Sequence, residues 1–143
     1  MKKISFFTVV FLISSCALPL LSQTAFIGDW QGSLKVQGME LRINFHISNV
    51  AGSLHATMDS PDQGANGIPV SKISIEKGRI IMDVTAARGK YTGTINKEKN
   101  LITGTWSQGG KDFDLSLKQL SDEDQAKGPG SPGRRSLNER FPE

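Results

Sequence analysis

From Gly28 to Leu117 the chain repeatedly alternates apolar and polar positions. Tyr91, Gly93 and Ile95 alternate with Thr92, Thr94 and Asn96. Ile102, Gly104 and Trp106 alternate with Thr103, Thr105 and Ser107, and Phe113, Leu115 and Leu117 with Asp112, Asp114 and Ser116. A period of two is the mark of a strand with one buried face. Gly109-Gly110 reads as a two-residue turn. Centring the turns sets Tyr91 against Trp106, Gly93 against Gly104, Ile95 against Ile102 and Trp106 against Phe113. Every inward residue then meets an inward residue, which over-determines the register.

Upstream, Trp30, Gly32, Leu34 and Val36 share a face, turn at Gln37-Gly38, and return as Leu41, Ile43, Phe45 and Ile47. This sets Val36 against Met39, Leu34 against Leu41 and Trp30 against Phe45. A looser loop, Asn49 to Gly52, leads to Leu54, Ala56 and Met58, expected opposite Ile47, Phe45 and Ile43. Ile73 and Ile75 turn at Lys77-Gly78 into Ile80, Met82 and Val84, and Arg88-Gly89 leads back into Tyr91. Eight short antiparallel runs with no helical period predict an all-β, eight-stranded up-and-down meander. It is expected to close into a lipocalin-like barrel, with a two-layer β-sandwich as the alternative. The inward glycines 32, 93 and 104 either let the sheet bend or leave room beneath Trp30, Tyr91 and Trp106. The stretch from Ser60 to Val70 reads as the longest loop.

The ends carry different patterns. Lys2 and Lys3, then the apolar run Ile4 to Leu21, then small and polar residues, read as a signal peptide over 1–24. The folded domain is expected over 26–120, and 121–143, rich in Pro, Gly and charge, as a disordered tail. Within 143 residues the net charge is +3, and loss of Lys2 and Lys3 lowers it to +1, so no nucleic-acid partner is implied. The single cysteine, Cys16, lies inside the leader. The expected location is secreted or periplasmic. A lipoprotein box at Ile13 to Cys16 is the alternative, with membrane attachment only if Cys16 is lipidated.

Candidate chemistry is sparse. His46 and His55 are expected opposite each other on the outer face, with Arg42 and Asp59 paired further along, but no third His or Cys offers a metal site. No Gly-x-Ser-x-Gly elbow occurs, and Asp83, Asp112 and Asp114 face outward, so no catalytic residue, cofactor or metal is assigned. Outer Thr92, Thr94, Thr103 and Thr105 form a cross-strand polar ladder. Trp30, Phe45, Tyr91, Trp106 and Phe113 all point inward, either as core or as an apolar ligand pocket. Asp62, Gln63 and Asn66 either line a mouth or bond their own turns.

Four strings carry a resemblance: Gly-Asp-Trp-Gln-Gly-Ser-Leu-Lys-Val from Gly28, Ser-Pro-Asp-Gln-Gly-Ala-Asn-Gly-Ile-Pro-Val from Ser60, Tyr-Thr-Gly-Thr-Ile from Tyr91, and Ile-Thr-Gly-Thr-Trp-Ser-Gln-Gly from Ile102. From Ile27 to Gln119 the chain resembles the small N-terminal β-domain ahead of secreted bacterial α/β-hydrolases of the serine esterase or peptidase type. The resemblance implies an accessory module without the catalytic Ser-His-Asp domain, which has no counterpart up to Glu143. Hydrolase activity therefore transfers to no residue here, and a truncated hydrolase gene is one alternative. The expected function is a non-catalytic interaction module whose partner is a hydrolase domain or another protein. A stand-alone carrier of a small apolar ligand is the alternative. An outward apolar patch at Ile81 and Leu101 would favour contact; a hollow interior would favour carriage.

Overall fold

Four dipeptides, Gln37-Gly38, Ala51-Gly52, Lys77-Gly78 and Gly109-Gly110, hold positive φ at both residues. That is the mirror-image turn whose twist matches the right-handed twist of paired strands, so each folds its flanks into a tight hairpin. The structure, a computed structural model, describes residues 23–126. Its strands are β1 (Gly28–Val36), β2 (Met39–Val50), β3 (Ser53–Ser60), β4 (Ala65–Pro69), β5 (Lys72–Glu76), β6 (Arg79–Val84), β7 (Gly89–Ile95), β8 (Leu101–Gln108) and β9 (Lys111–Gln119). All pair antiparallel in one nine-stranded sheet, ordered β4-β3-β2-β1-β9-β8-β7-β6-β5. A single curled sheet excludes the two-layer alternative.

The sheet curls until its two end strands meet in sequence. Val70 N–H donates to Ala56 C=O of β3 at 3.0 Å, and Ser71 N–H donates to Asp83 C=O of β6 at 2.7 Å. One peptide step thus crosses from one end of the sheet to the other and closes a barrel. The expected count of eight becomes nine because the fourth strand is split at this step. The stretch read as a loop from Ser60 to Val70 holds only a 3-10 turn, Pro61–Gln63, before β4 begins. Ser60 and Ala65 pair across that turn, so the segment stays in the sheet.

The expected registers of the β1–β2, β7–β8 and β8–β9 hairpins match the observed pairs. The β2–β3 register is corrected by two residues: Ala56 pairs with Ile47 and Met58 with Phe45. The physical reason is that Ala51-Gly52 makes a two-residue turn where a looser loop was expected. The slip is even, so the inward face is unchanged.

Trp30, Phe45, Tyr91, Ile80, Met82, Ile102, Leu115 and Leu117 are fully buried, joined by Phe26 from the segment before β1. The inward glycines have two different uses. A Cβ on Gly93 or Gly104 would come within 2.7 and 2.6 Å of the Tyr91 hydroxyl, so these two leave room for that ring. At Gly32 a Cβ would collide with the Ser116 carbonyl, so this glycine permits the close approach of β1 and β9. A short helix, α1 (Asp122–Ala126), follows β9. Ser121 Oγ donates to Asp124 Oδ2 at 2.7 Å, and Asp124 N–H donates to Ser121 Oγ at 3.3 Å. This reciprocal cap corrects the start of the expected disordered tail. The expected signal segment up to residue 22, Cys16 included, and the tail from 127 onward lie outside the described residues. Among the described residues no helix is long and apolar enough to cross a membrane.

Trp106 is 3% exposed, with Gly89 directly beneath its indole and Tyr91 and Phe113 as cross-strand neighbours. Trp106→Ala should therefore destabilise the domain by about 3–5 kcal/mol, whereas Thr105→Ala on the outer face should cost under about 1 kcal/mol. Denaturant melts of the two variants check this. A larger loss for Thr105→Ala would invert the in/out assignment.

Candidate functional site

The inward aromatics come together, but their polar atoms are occupied. Trp30 Nε1–H donates to the Phe26 carbonyl at 2.9 Å. The Tyr91 hydroxyl donates to the Leu115 carbonyl at 3.0 Å, and burial pushes its pKa well above the usual phenol range. The Phe45 and Tyr91 rings meet at 5.6 Å between centroids, joining opposite walls of the barrel. Trp106 Nε1–H donates to Gln108 Oε1 at 3.1 Å, and Gln108 Nε2–H in turn to the Ala87 carbonyl at 2.6 Å. Phe113 alone is half-buried, packed against the same core beside an outer recess with Ser33, Lys35, Asp112, Asp114 and Ser116. Four of the five candidate pocket residues are thus core.

The candidate loop residues behave as anchors. Asp62 accepts from the Arg42 backbone N–H at 2.7 Å and pairs with its guanidinium at 3.0 Å. The side-chain hydrogen bond from Arg42 holds the Asp62 carboxyl below its ordinary range and raises the Arg42 pKa in return. Ser60 Oγ donates to Gln63 Oε1 at 3.0 Å. Asn66 is exposed on β4. The expected Arg42–Asp59 pair is therefore corrected to Arg42–Asp62, because the β2–β3 register is shifted.

The same shift separates the histidines. His55 lies opposite Ser48, and His46 opposite Thr57 on β3 and Asp29 on β1. His46 Nδ1 lies 2.6 Å from Asp29 Oδ1, and Nε2 lies 2.8 Å from Asp59 Oδ2. Asp59 also accepts the Gly67 N–H of β4 at 2.6 Å through its other oxygen. One imidazole therefore ties β1, β2 and β3 together, and Asp59 extends the tie to β4. Partial burial pulls the His46 pKa down, but the two carboxylate hydrogen bonds and their charges outweigh it, and the net shift is upward. Protonated, the ring donates from both nitrogens. Among the described residues no three His, Cys, Asp or Glu side chains are grouped to hold a metal ion.

His46 and Asp29 stand on the rim of an open recess of ≈ 690 Å³ between β3 and β5. Its floor is Ile47, Leu54, Ala56, Val70 and Ile73; His55 and Lys72 complete the charged rim. Sequence reasoning missed Asp29 and Lys72 and set Asp59 beside Arg42 instead of His46. The β1–β2 register carried the signal for Asp29; Asp59 required the two-residue reading of Ala51-Gly52. The outward apolar patch that would have favoured contact is interrupted: Ile81 is half-buried beside Thr92, and Leu101, 37% exposed, starts β8.

No protein-family model and no curated protein matches the chain. Among solved structures the chain is similar to a redesigned β-barrel, at 12% identity and TM-score 0.48, over 70% of this chain and 96% of that one. It is also similar to a de novo designed fluorescence-activating β-barrel, at 14% identity and TM-score 0.44, over 69% of this chain and 97% of that one.

The His46 bridge gives a pH dependence with a definite sign. A folded pKa above 6.5 means that its stabilisation is complete below pH 6.5 and fades as pH rises through the folded value. Asp62 acts oppositely, losing its contribution only as pH falls below 3.8. Denaturant midpoints of the wild type should therefore decline from about pH 6 into the alkaline range, and His46→Gln should flatten that decline. An unchanged slope in the variant would remove His46 as its source.

Proposed function

We propose that this chain is a secreted, non-catalytic β-barrel module that works by surface contact with another protein, as the accessory domain it resembles is placed to do beside a hydrolase. The observation that carries this reading is the self-satisfied interior. The indole of Trp30 and the hydroxyl of Tyr91 are bound to main-chain carbonyls, which leaves neither free to orient a ligand. An imidazole held between two carboxylates supports the non-catalytic part, because both ring nitrogens are engaged and neither is free to accept a proton from a serine.

Carriage of a small apolar ligand is the second reading. The apolar floor of the β3–β5 recess favours it, since Leu54 and Ile73 are only half-buried there.

Two measurements separate the readings. A serine hydrolase of the resembled type, expressed without its own β-domain, should associate saturably with this protein, with Kd on the order of micromolar. Anilinonaphthalene sulfonate should show no saturable binding to the native protein, and an activated ester no turnover sensitive to a serine-directed inhibitor. Saturable dye uptake without hydrolase association would put the carrier reading first, and inhibitor-sensitive turnover would end the non-catalytic one.

A further inference from the structure

We propose that the slot between β3 and β5 takes an extended acidic peptide strand of a partner protein, which completes the sheet where the barrel's own fourth strand leaves it. This rests on the reading of the chain as a contact module and names the surface that makes the contact.

The argument begins with main-chain hydrogen bonds. In a two-residue hairpin the residues flanking the turn exchange both of their hydrogen bonds, and the pattern then alternates along the pair. Val50 and Ser53 flank Ala51-Gly52, so Ser53, His55 and Thr57 direct N–H and C=O to β2. Leu54 and Ala56 direct theirs to the opposite edge. The Ala56 carbonyl takes the Val70 N–H, the last bond before the chain crosses to β6. Glu76 and Arg79 flank Lys77-Gly78, so Lys72, Ser74 and Glu76 face β6, and Ile73 and Ile75 face away from it. Among the described residues β5 pairs with β6 alone. The N–H and C=O groups of Leu54 and Ile73 therefore point into the recess of ≈ 690 Å³, where among the described residues no strand pairs with them.

Two such edges facing one opening form a template for an added strand. The side chains suit one. The apolar floor accepts every second residue of an extended peptide. On the rim, Lys72 makes no ion pair among the described residues, while Asp29 is committed to His46. The adjoining recess shares Ser71 and Lys72 and adds Arg88 and Lys90, against Asp83, which pairs with Lys90 at 3.3 Å. Even with exposed Glu76 at the far end of β5 counted, these groups sum to a net positive charge, which complements acidic residues on the strand's outer face. β5 spans five residues, which sets the length of strand that fits.

The test uses a fluorescein-labelled heptapeptide alternating valine and glutamate, titrated into the full chain by anisotropy at low salt. Saturable binding is expected, with slowed amide exchange at Leu54 and Ile73. Methylating one slot-facing peptide nitrogen should weaken binding about fivefold, the worth of one hydrogen bond. Lys72→Glu should weaken it about two- to fivefold, as for an exposed charge pair. Ile73→Pro, which removes a slot-facing N–H and spares the β6 ladder, serves as a second variant once its melt shows a folded domain. No saturation by about 1 mM, equal binding of the methylated peptide, or exchange protection confined to other strands would overturn the proposal. If the isolated hydrolase domain associates but the peptide does not, the contact reading stands and the slot proposal falls. If the peptide binds and the hydrolase domain does not, the slot stands with a different partner.

Discussion

The structure depends on one tyrosine laid across three strands. Tyr91 leaves β7, passes over Gly93 and Gly104, and reaches the Leu115 carbonyl of β9 with its hydroxyl. Any side chain at either glycine would lift the ring off the sheet. That would break a buried hydrogen bond whose loss costs roughly 1–3 kcal/mol. The ring in turn meets Phe45 on the opposite wall, so the same contact fixes both the local curvature of β7–β9 and the distance to β2. Pairings on either side, Tyr91 with Trp106 and Trp30 with Phe45, then follow from the inward alternation alone.

A barrel wall built this way must still close, and closure is where the chain departs from regularity. The fourth strand serves β3 up to Pro69 and β6 from Ser71 onward, so the ladder on each side stops early. Polar contacts hold that crossing in place together with Ile68, Val70 and Ile73, which pack against the core. Asp59 accepts the Gly67 N–H, Asp62 holds Arg42, Ser60 holds Gln63, and His46 links Asp59 back to Asp29 on β1. The proton on His46 is therefore coupled to the strand crossing, where the β3–β4 ladder is short. Local opening concentrates where apolar contacts and backbone pairing are thinnest.

Most of the sheet was legible because period two and X-Gly turns are local signals. Gln37-Gly38 and Lys77-Gly78 set their registers within a few residues, and Gly109-Gly110 does so between two aromatic strands. Ala51-Gly52 has the same chemistry, but the asparagine and valine before it suggested a wider loop, and a slip of two residues followed. That slip hid the His46–Asp59 contact and set His46 beside His55. β4 was invisible for a different reason. Ser60-Pro61-Asp62-Gln63-Gly64 is turn chemistry, and Ala65 to Pro69 contains one large apolar residue, Ile68, so no alternation marks a strand. Its pairing with β3 is set by the barrel, through Asp59 and Val70, and tertiary constraints of that kind leave no periodic trace.

Magnitudes decide between an interior that carries a ligand and an edge that binds a strand. A small apolar ligand burying about 100 Å² inside the barrel would gain roughly 2.5 kcal/mol. It would have to displace the Tyr91 ring, whose hydroxyl bond and packing are worth at least as much. The interior therefore favours its own side chains. An added strand displaces nothing that is paired. It gains main-chain hydrogen bonds at Leu54 and Ile73 worth about 1 kcal/mol each, and two or three branched side chains on the apolar floor at about 1.5–3 kcal/mol apiece. Against that stands an association and ordering cost of roughly 4 kcal/mol or more, which leaves a weak net affinity, between about millimolar and about micromolar. The balance turns on the same split in the fourth strand that lets the barrel close. Joining β3 and β6 through one peptide step leaves the remainder of the β3 and β5 edges to an outside strand.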